Sequence, residues 1–317
     1  ISKQLAELMG GEVGVQSQPA QGSTFWFTAW LGRGKASAAQ AEASSRNDPS
    51  LIHGAAVLLV EDNTFNQQVA SDLLVEAGAV VTIANNGREA LERLAEGHFD
   101  CVLMDIQMPV MDGLEATRLI RANPALSSIP VIGLTANAGP ADQARCFKAG
   151  MSSFLSKPID PAQLLTVLAT SLARQRDQSP PAEEATATMD SSPRGAAADE
   201  VATGAGGEVD LAVLARIVSH DPDKVRKYAQ MFVSSMNDTL VEIETTLARA
   251  DVAGAAALGH RAKSSARTVG AAGFADLCQA LEHCTRAEDF DKARAIIDKM
   301  RPLLTRIIGQ INQEIDR

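Results

Sequence analysis

The chain has 317 residues, enough for two or three ordinary domains, and its aromatic content of only 4 % with abundant Ala suits helical packing better than an all-β core. A formal charge of −10 leaves no continuous basic footprint and argues against a nucleic-acid binder. No stretch approaches the ~20 apolar residues of a membrane span, no signal peptide is legible, and Cys101, Cys146, Cys278 and Cys284 lack CxxC spacing, so they read as ordinary thiols of a reducing cytosol.

The chain begins at Ile1 partway into a helical pattern and reads as a fragment of a longer protein, with no direct membrane contact of its own. In "ISKQLAELMGG" the apolar positions Ile1, Leu5, Leu8 and Met9 predict a helix closed by glycines. The strands "EVGVQSQ" and "STFWFTAWL" follow, joined by a Pro/Gly turn. Residues 1–31 bury too little to stand alone and read as the end of a larger α+β unit. Residues 32–54 form a linker, small and polar through residue 50.

Residues 55–173 alternate the apolar runs "AAVLLV", "AVVTIA", "CVLM", "PVIGL" and "SSFLS" with helical patterns near 64–77, 87–96, 113–121, 139–149 and 160–173. This alternation predicts a doubly wound α/β domain whose five-stranded parallel sheet is covered on both faces. Residues 174–208 are rich in Pro, Gly, Ser, Ala and acid, a composition that cannot offset the entropy of ordering. A coil of that length reaches roughly 30 Å and is expected to tether its neighbours without fixing their orientation. Residues 209–317 carry no strand signal, and helical patterns near 210–219, 222–249, 252–268, 272–286 and 288–315 predict an all-α bundle.

In a parallel sheet the strand C-termini line one edge, where ligands bind. The first strand ends on Glu61-Asp62, the third on Asp105, the fourth on Thr135 and the fifth on Lys157-Pro158. Three carboxylates crowded together repel one another and invite a hard divalent cation, with Mg²⁺ the best fit. Metal, the Lys157 ammonium and the Thr135 hydroxyl together suit the oxygens of a phosphoryl group in transfer. Asp105 is then the nucleophile, forming an acyl phosphate. A haloacid-dehalogenase-type site needs a second Asp two residues on, where Gln107 stands.

"VLLVEDN", "VLMDIQMPVMDG", "PVIGLTANA" and "FLSKPI" resemble the receiver domain of two-component response regulators, a flavodoxin-like fold. The resemblance implies that Asp62 binds Mg²⁺ directly, that Glu61 helps through water, and that the backbone carbonyl of Gln107 completes the metal shell. It also implies that Asp105 accepts the phosphoryl group, that Thr135 and Lys157 sense it, and that Phe154 is the switch aromatic.

Among five histidines, His260 alone lies mid-helix, in "AALGHRAKSSARTVGA", with Lys263 and Ser264 on the same face. The three are expected to form one exposed patch, open to a partner and with a cation beside the imidazole. The patch resembles the "HxLKG" motif of histidine phosphotransfer (HPt) domains, with Ala262 in place of Leu and Ser264 in place of Gly, and implies that His260 is a second phosphoacceptor. His283 is the weaker candidate.

Residues 1–31 resemble the end of a histidine-kinase ATP-binding domain, with Gly22 to Phe25 leading into a core strand and the nucleotide-binding motifs absent. The order resembles a tripartite hybrid sensor histidine kinase: kinase end, receiver, linker, HPt. That implies a cytoplasmic Mg²⁺-dependent relay from an upstream kinase histidine to Asp105, then His260, then a separate response regulator; ATP serves only the missing upstream portion. A scaffold module with little phosphate flow is the alternative, and a DNA-binding regulator fails because no basic recognition helix follows the receiver.

Overall fold

The computed structural model of the chain describes residues 10–18, 22–28, 51–136, 139–177 and 207–315. The expected helix at the start of the chain, and almost all of the two linkers, lie outside these residues. Two compact units divide after Arg46. In the first, β1 (Val13–Gln18) and β2 (Gly22–Phe27) pair antiparallel, Val13 opposite Phe27 and Gln18 opposite Gly22.

The second unit opens with the alternating segment. Its strands are β3 (Ala56–Val60), β4 (Val80–Ala84), β5 (Cys101–Asp105), β6 (Val131–Thr135) and β7 (Ser153–Ser156). Between and after them run α1 (Thr64–Glu76), α2 (Gly87–Glu96), α3 (Gly113–Ala122), α4 (Pro140–Ala149) and α5 (Pro161–Asp177). All strand pairings are parallel, in the order β4-β3-β5-β6-β7. The near-continuous apolar runs of β3, β5 and β6 are explained by burial on both faces. Val57 and Leu59 join the core under α1 and α5, and Leu58 and Val60 the core under α2, α3 and α4. The chain reverses direction across the sheet between β3 and β5, so their C-termini flank the switch point where a crevice opens.

The remainder is helical: α6 (Leu211–Ile217), α7 (Pro222–Ala248), α8 (Val252–Thr268), α9 (Ala272–Glu282) and α10 (Phe290–Ile315). The α7 residues Tyr228, Phe232, Met236, Leu240, Ile243 and Leu247 recur at three- and four-residue spacing and are buried as one stripe. Asp221 caps α7 through the amides of Asp223 and Lys224, with Pro222 in the first turn, where a missing N–H costs nothing. The pattern over 272–286 overshoots: α9 stops at Glu282, and a 3₁₀ turn (Ala287–Asp289) precedes α10.

The expectation of domains with no fixed relation is corrected by the packing. The bundle lies against the α/β domain, and one apolar cluster runs through both. Phe65 at the start of α1 is fully buried, edge-on to Tyr228 (centroids 6.4 Å apart) and Phe232 (6.1 Å). Burial of such a ring contributes about 2–3 kcal/mol. At the margin Asp72 accepts from Lys227 (2.7 Å) and from the Tyr228 hydroxyl, and Glu76 pairs with Lys224.

Candidate phosphotransfer site

The strand ends converge. Lys157 Nζ donates to Glu61 Oε2 at 2.5 Å and to Asp105 Oδ2 at 2.7 Å, so one ammonium bridges the carboxylates after β3 and β5. Ligand oxygens of Glu61, Asp62 and Asp105 all lie within 4.8 Å of one another. Glu61 is held further by Asn66 Nδ2 (3.0 Å), and Asp105 Oδ1 accepts from the Gln107 amide at 3.3 Å. The Lys157 amide donates to the Thr135 carbonyl at 2.7 Å, which fixes the lysine beside the end of β6. Thr135 itself is buried, and it lines a cleft of about 380 Å³ with Gln107, Lys263, Arg267 and Glu282.

Gly113 explains why a helix can begin so close behind Asp105. A Cβ at that position would overlap the Asp105 carbonyl oxygen, so only glycine lets α3 start there, and Asp112 caps it through the Glu115 amide at 2.7 Å. Phe154 is half-buried on β7, its ring edge-on to exposed Phe147 at 5.8 Å.

Burial raises the pKa of Glu61 and of Asp62, each pushed further by a neighbouring carboxylate and only partly offset by cations. For Lys157 burial acts downward, but Asp105 and Glu61 overcome it and hold the ammonium charged. The cluster therefore has excess negative charge that one lysine does not neutralise. Asp62 Oδ2 is buried without a hydrogen bond. A buried carboxylate oxygen with no hydrogen bond, faced by one arginine at ion-pair distance and lying beside two further carboxylates, is a donor set that suits a hard cation, and the residues present fit Mg²⁺.

On α8 the expected exposed patch is corrected. Lys263 and Ser264 are both buried, at 7 % exposure, and the His260 side chain is 15 % exposed. Two contacts produce this. Glu282 on α9 reaches across to accept from His260 Nδ1 at 2.9 Å and to bind the Lys263 ammonium, and the α/β domain packs over the same surface. The pKa of Glu282 is held down to about 2: burial would raise it, but hydrogen bonds from His260 and Lys263 outweigh burial. His260 remains accessible to the acidic edge, since it lines a cleft of about 700 Å³ together with Asp62 and Gln107. His283 caps the end of α9 and is exposed.

Sequence reasoning missed Glu282, Arg261 and Arg267. Arg261 Nε lies 3.3 Å from Asp62 Oδ2, and its carbonyl accepts from Asn63 Nδ2 at 3.3 Å. Arg267 donates to the Ala136 carbonyl at 3.1 Å and to Gln279 at 2.9 Å. The only signal for any of them is spacing on α8, where positions 260, 263, 264 and 267 share a face.

A doubly wound domain with an acid-and-lysine edge, packed on a bundle that presents a histidine there, defines a receiver joined to a histidine phosphotransfer module. Family models agree: residues 57–169 match the response regulator receiver domain and residues 227–317 the Hpt domain. Residues 57–169 thus belong to the receiver family and residues 227–317 to the Hpt family, a pairing shared with hybrid sensor histidine kinases, to which the chain is similar. It is 39 % identical over 177 residues to hybrid signal transduction histidine kinase K of Dictyostelium discoideum, covering 53 % of this chain and 15 % of that protein. It is 30 % identical over 272 residues to the aerobic respiration control sensor protein ArcB of Escherichia coli (strain K12), covering 85 % of this chain and 32 % of that protein. The chain thus spans a third or less of either relative. Among solved structures, the receiver domain of sensor histidine kinase PA1611 from Pseudomonas aeruginosa PAO1, which has a magnesium ion coordinated in its active site cleft, is 40 % identical with a TM-score of 0.37, covering 38 % of this chain and 98 % of that one. No helix among the described residues is long and apolar enough to cross a membrane.

Proposed function

We propose that the chain passes a phosphoryl group from a kinase phosphohistidine to Asp105 and then to His260, for delivery to a separate response regulator. The observation that carries this reading is the Lys157 ammonium bridging Glu61 and Asp105, with Asp62 alongside. Asp62, Asp105 and the Gln107 carbonyl, helped by Glu61, would hold magnesium, which would supply Lewis-acid neutralisation of a phosphoryl oxygen.

In the first transfer an Asp105 carboxylate oxygen forms a bond to phosphorus while the phosphorus–nitrogen bond to the donor imidazole breaks, its electron pair returning to the ring. Lys157 and the Thr135 hydroxyl offset charge on the equatorial oxygens. In the second, Glu282 directs the imidazole. An acid with a pKa near 2 is ionised at neutral pH and can only accept, so His260 Nδ1 carries the proton and Nε2 the lone pair. Nε2 bonds to phosphorus as the Asp105–phosphorus bond breaks, and the electron pair returns to the Asp105 carboxylate. The Glu282 charge offsets the imidazolium that results.

The partners are a kinase histidine domain upstream and a receiver downstream. Residues 1–31 fit the end of the kinase ATP-binding domain; the antiparallel hairpin of β1 and β2 supports that assignment. The test is incubation of the chain with acetyl phosphate and Mg²⁺, read by intact mass. Labelling that is lost in Asp105→Asn supports the relay, and an unlabelled wild-type chain beside a labelled control receiver favours a scaffold.

A further inference from the structure

Arg261 follows His260 on α8, so the residue beside the second phosphoacceptor brings a fixed positive charge to the acidic edge whenever the bundle packs there. Its Nε stands 3.3 Å from Asp62 Oδ2, and both atoms are buried, yet neither makes a hydrogen bond. The contact is therefore an ion pair without the paired geometry that an arginine and a carboxylate prefer. The Asp62 side chain is 6 % exposed beneath it. Asn63 donates to the Arg261 carbonyl, which pins this stretch of α8 against the start of α1. The guanidinium partly neutralises a cluster that Lys157 alone leaves negative.

We infer that Arg261 and a divalent cation compete for the Asp62 carboxylate, so that packing of the bundle on the receiver and metal loading weaken, without excluding, each other through this one pair. The inference rests on the reading of Glu61, Asp62 and Asp105 as the metal site. A dication at that cluster repels a guanidinium held within ion-pair distance of the same buried carboxylate. By linkage, whatever factor packing takes from metal affinity, the metal takes from packing. The metal-free chain rests with His260 gathered at the receiver. Metal binding draws Asp62 away from Arg261 and loosens the packing without undoing it, so the metal-loaded receiver can still meet His260.

The test is Mg²⁺ titration of the full chain by calorimetry, using wild type, Arg261→Ala and a Lys224→Glu/Lys227→Glu variant. The two lysines pair with Glu76 and Asp72 at the other end of the packed surface, away from the acidic cluster, so their reversal sets like charges against each other there and weakens the packing without touching Arg261. Both variants are expected to bind Mg²⁺ about fivefold or more tighter than wild type, with no further gain on combining them. In wild type, Mg²⁺ is also expected to speed amide exchange in α1 and α8, and to do so far less in Arg261→Ala. Equal affinities in all chains overturn the inference and leave the metal site standing. A gain in Arg261→Ala without one in the lysine variant overturns the link to packing. Absence of binding in every chain removes the metal-site reading itself.

Discussion

His260 Nδ1 lies 2.9 Å from Glu282 Oε1, and the second oxygen of that carboxylate binds the Lys263 ammonium. A residue 22 positions away thus holds the imidazole of the proposed acceptor and satisfies a buried lysine at once. Replacing Glu282 with Ala removes a charge-assisted hydrogen bond, commonly about 1.5–3 kcal/mol, so transfer to His260 is expected to slow roughly tenfold or more. Glu282→Gln keeps an acceptor and is expected to recover much of the rate. Single-turnover transfer from labelled Asp105 measures both, and equal rates in Ala and Gln variants would show that the hydrogen bond is irrelevant.

The same carboxylate predicts an acid limb of stability. Its pKa falls from an ordinary 4.5 to about 2 on folding, because His260 and Lys263 outweigh burial. A lowered pKa means that its stabilisation is complete above pH 4.5 and is lost as pH falls toward about 2. Acid unfolding followed by circular dichroism is expected to be steeper in this window for wild type than for Glu282→Gln. Superimposable slopes would contradict the assignment.

Gly113→Ala drives a methyl into the Asp105 carbonyl. Overpacking of this kind costs about 1–3 kcal/mol, and here it displaces Asp105, the proposed phosphoacceptor. Denaturant unfolding is expected to show that loss, while acetyl phosphate labelling drops more than stability explains. Wild-type labelling in a folded Gly113→Ala chain would show that α3 can shift freely.

The packed surface between receiver and bundle is predicted to be held by its aromatic seam more than by its charges. Lys227 and Lys224 are half-exposed or nearly so, and such pairs are worth roughly 0–1 kcal/mol each. Phe65 is wholly buried against Tyr228 and Phe232, and Phe→Ala in such a setting costs about 3–5 kcal/mol. Unfolding measurements on Phe65→Ala and Lys227→Ala are expected to differ by several-fold in effect. Comparable losses would assign the interface to electrostatics.

How far the sequence reaches is seen on α8. The 252–268 pattern matches the helix Val252–Thr268, because a run of small apolar residues behind Asp251 leaves little choice. The strand ends were equally legible: Glu61, Asp105 and Lys157 close apolar runs whose parallel pairing forces them to one edge. Exposure was not legible. Spacing places His260, Lys263 and Ser264 on one face, but whether that face is open depends on Glu282 from the next helix and on a domain far back in the chain. Arg261 and Asp62 lie 199 positions apart, and no local pattern in either segment announces the other. The short end of α9 was missed for a related reason, since residues 283–286 keep helical composition while the chain turns into α10.

The most direct test follows the label along the chain. Wild type, Asp105→Asn and His260→Ala are treated with acetyl phosphate and Mg²⁺, and the bonds are distinguished by alkali, which cleaves an acyl phosphate and spares phosphohistidine. The expected result is alkali-stable label on His260 in wild type, alkali-labile label held on Asp105 in His260→Ala, and neither in Asp105→Asn. Label on His260 in the absence of Asp105, or none on His260 while Asp105 is fully labelled, would contradict a relay through these two residues.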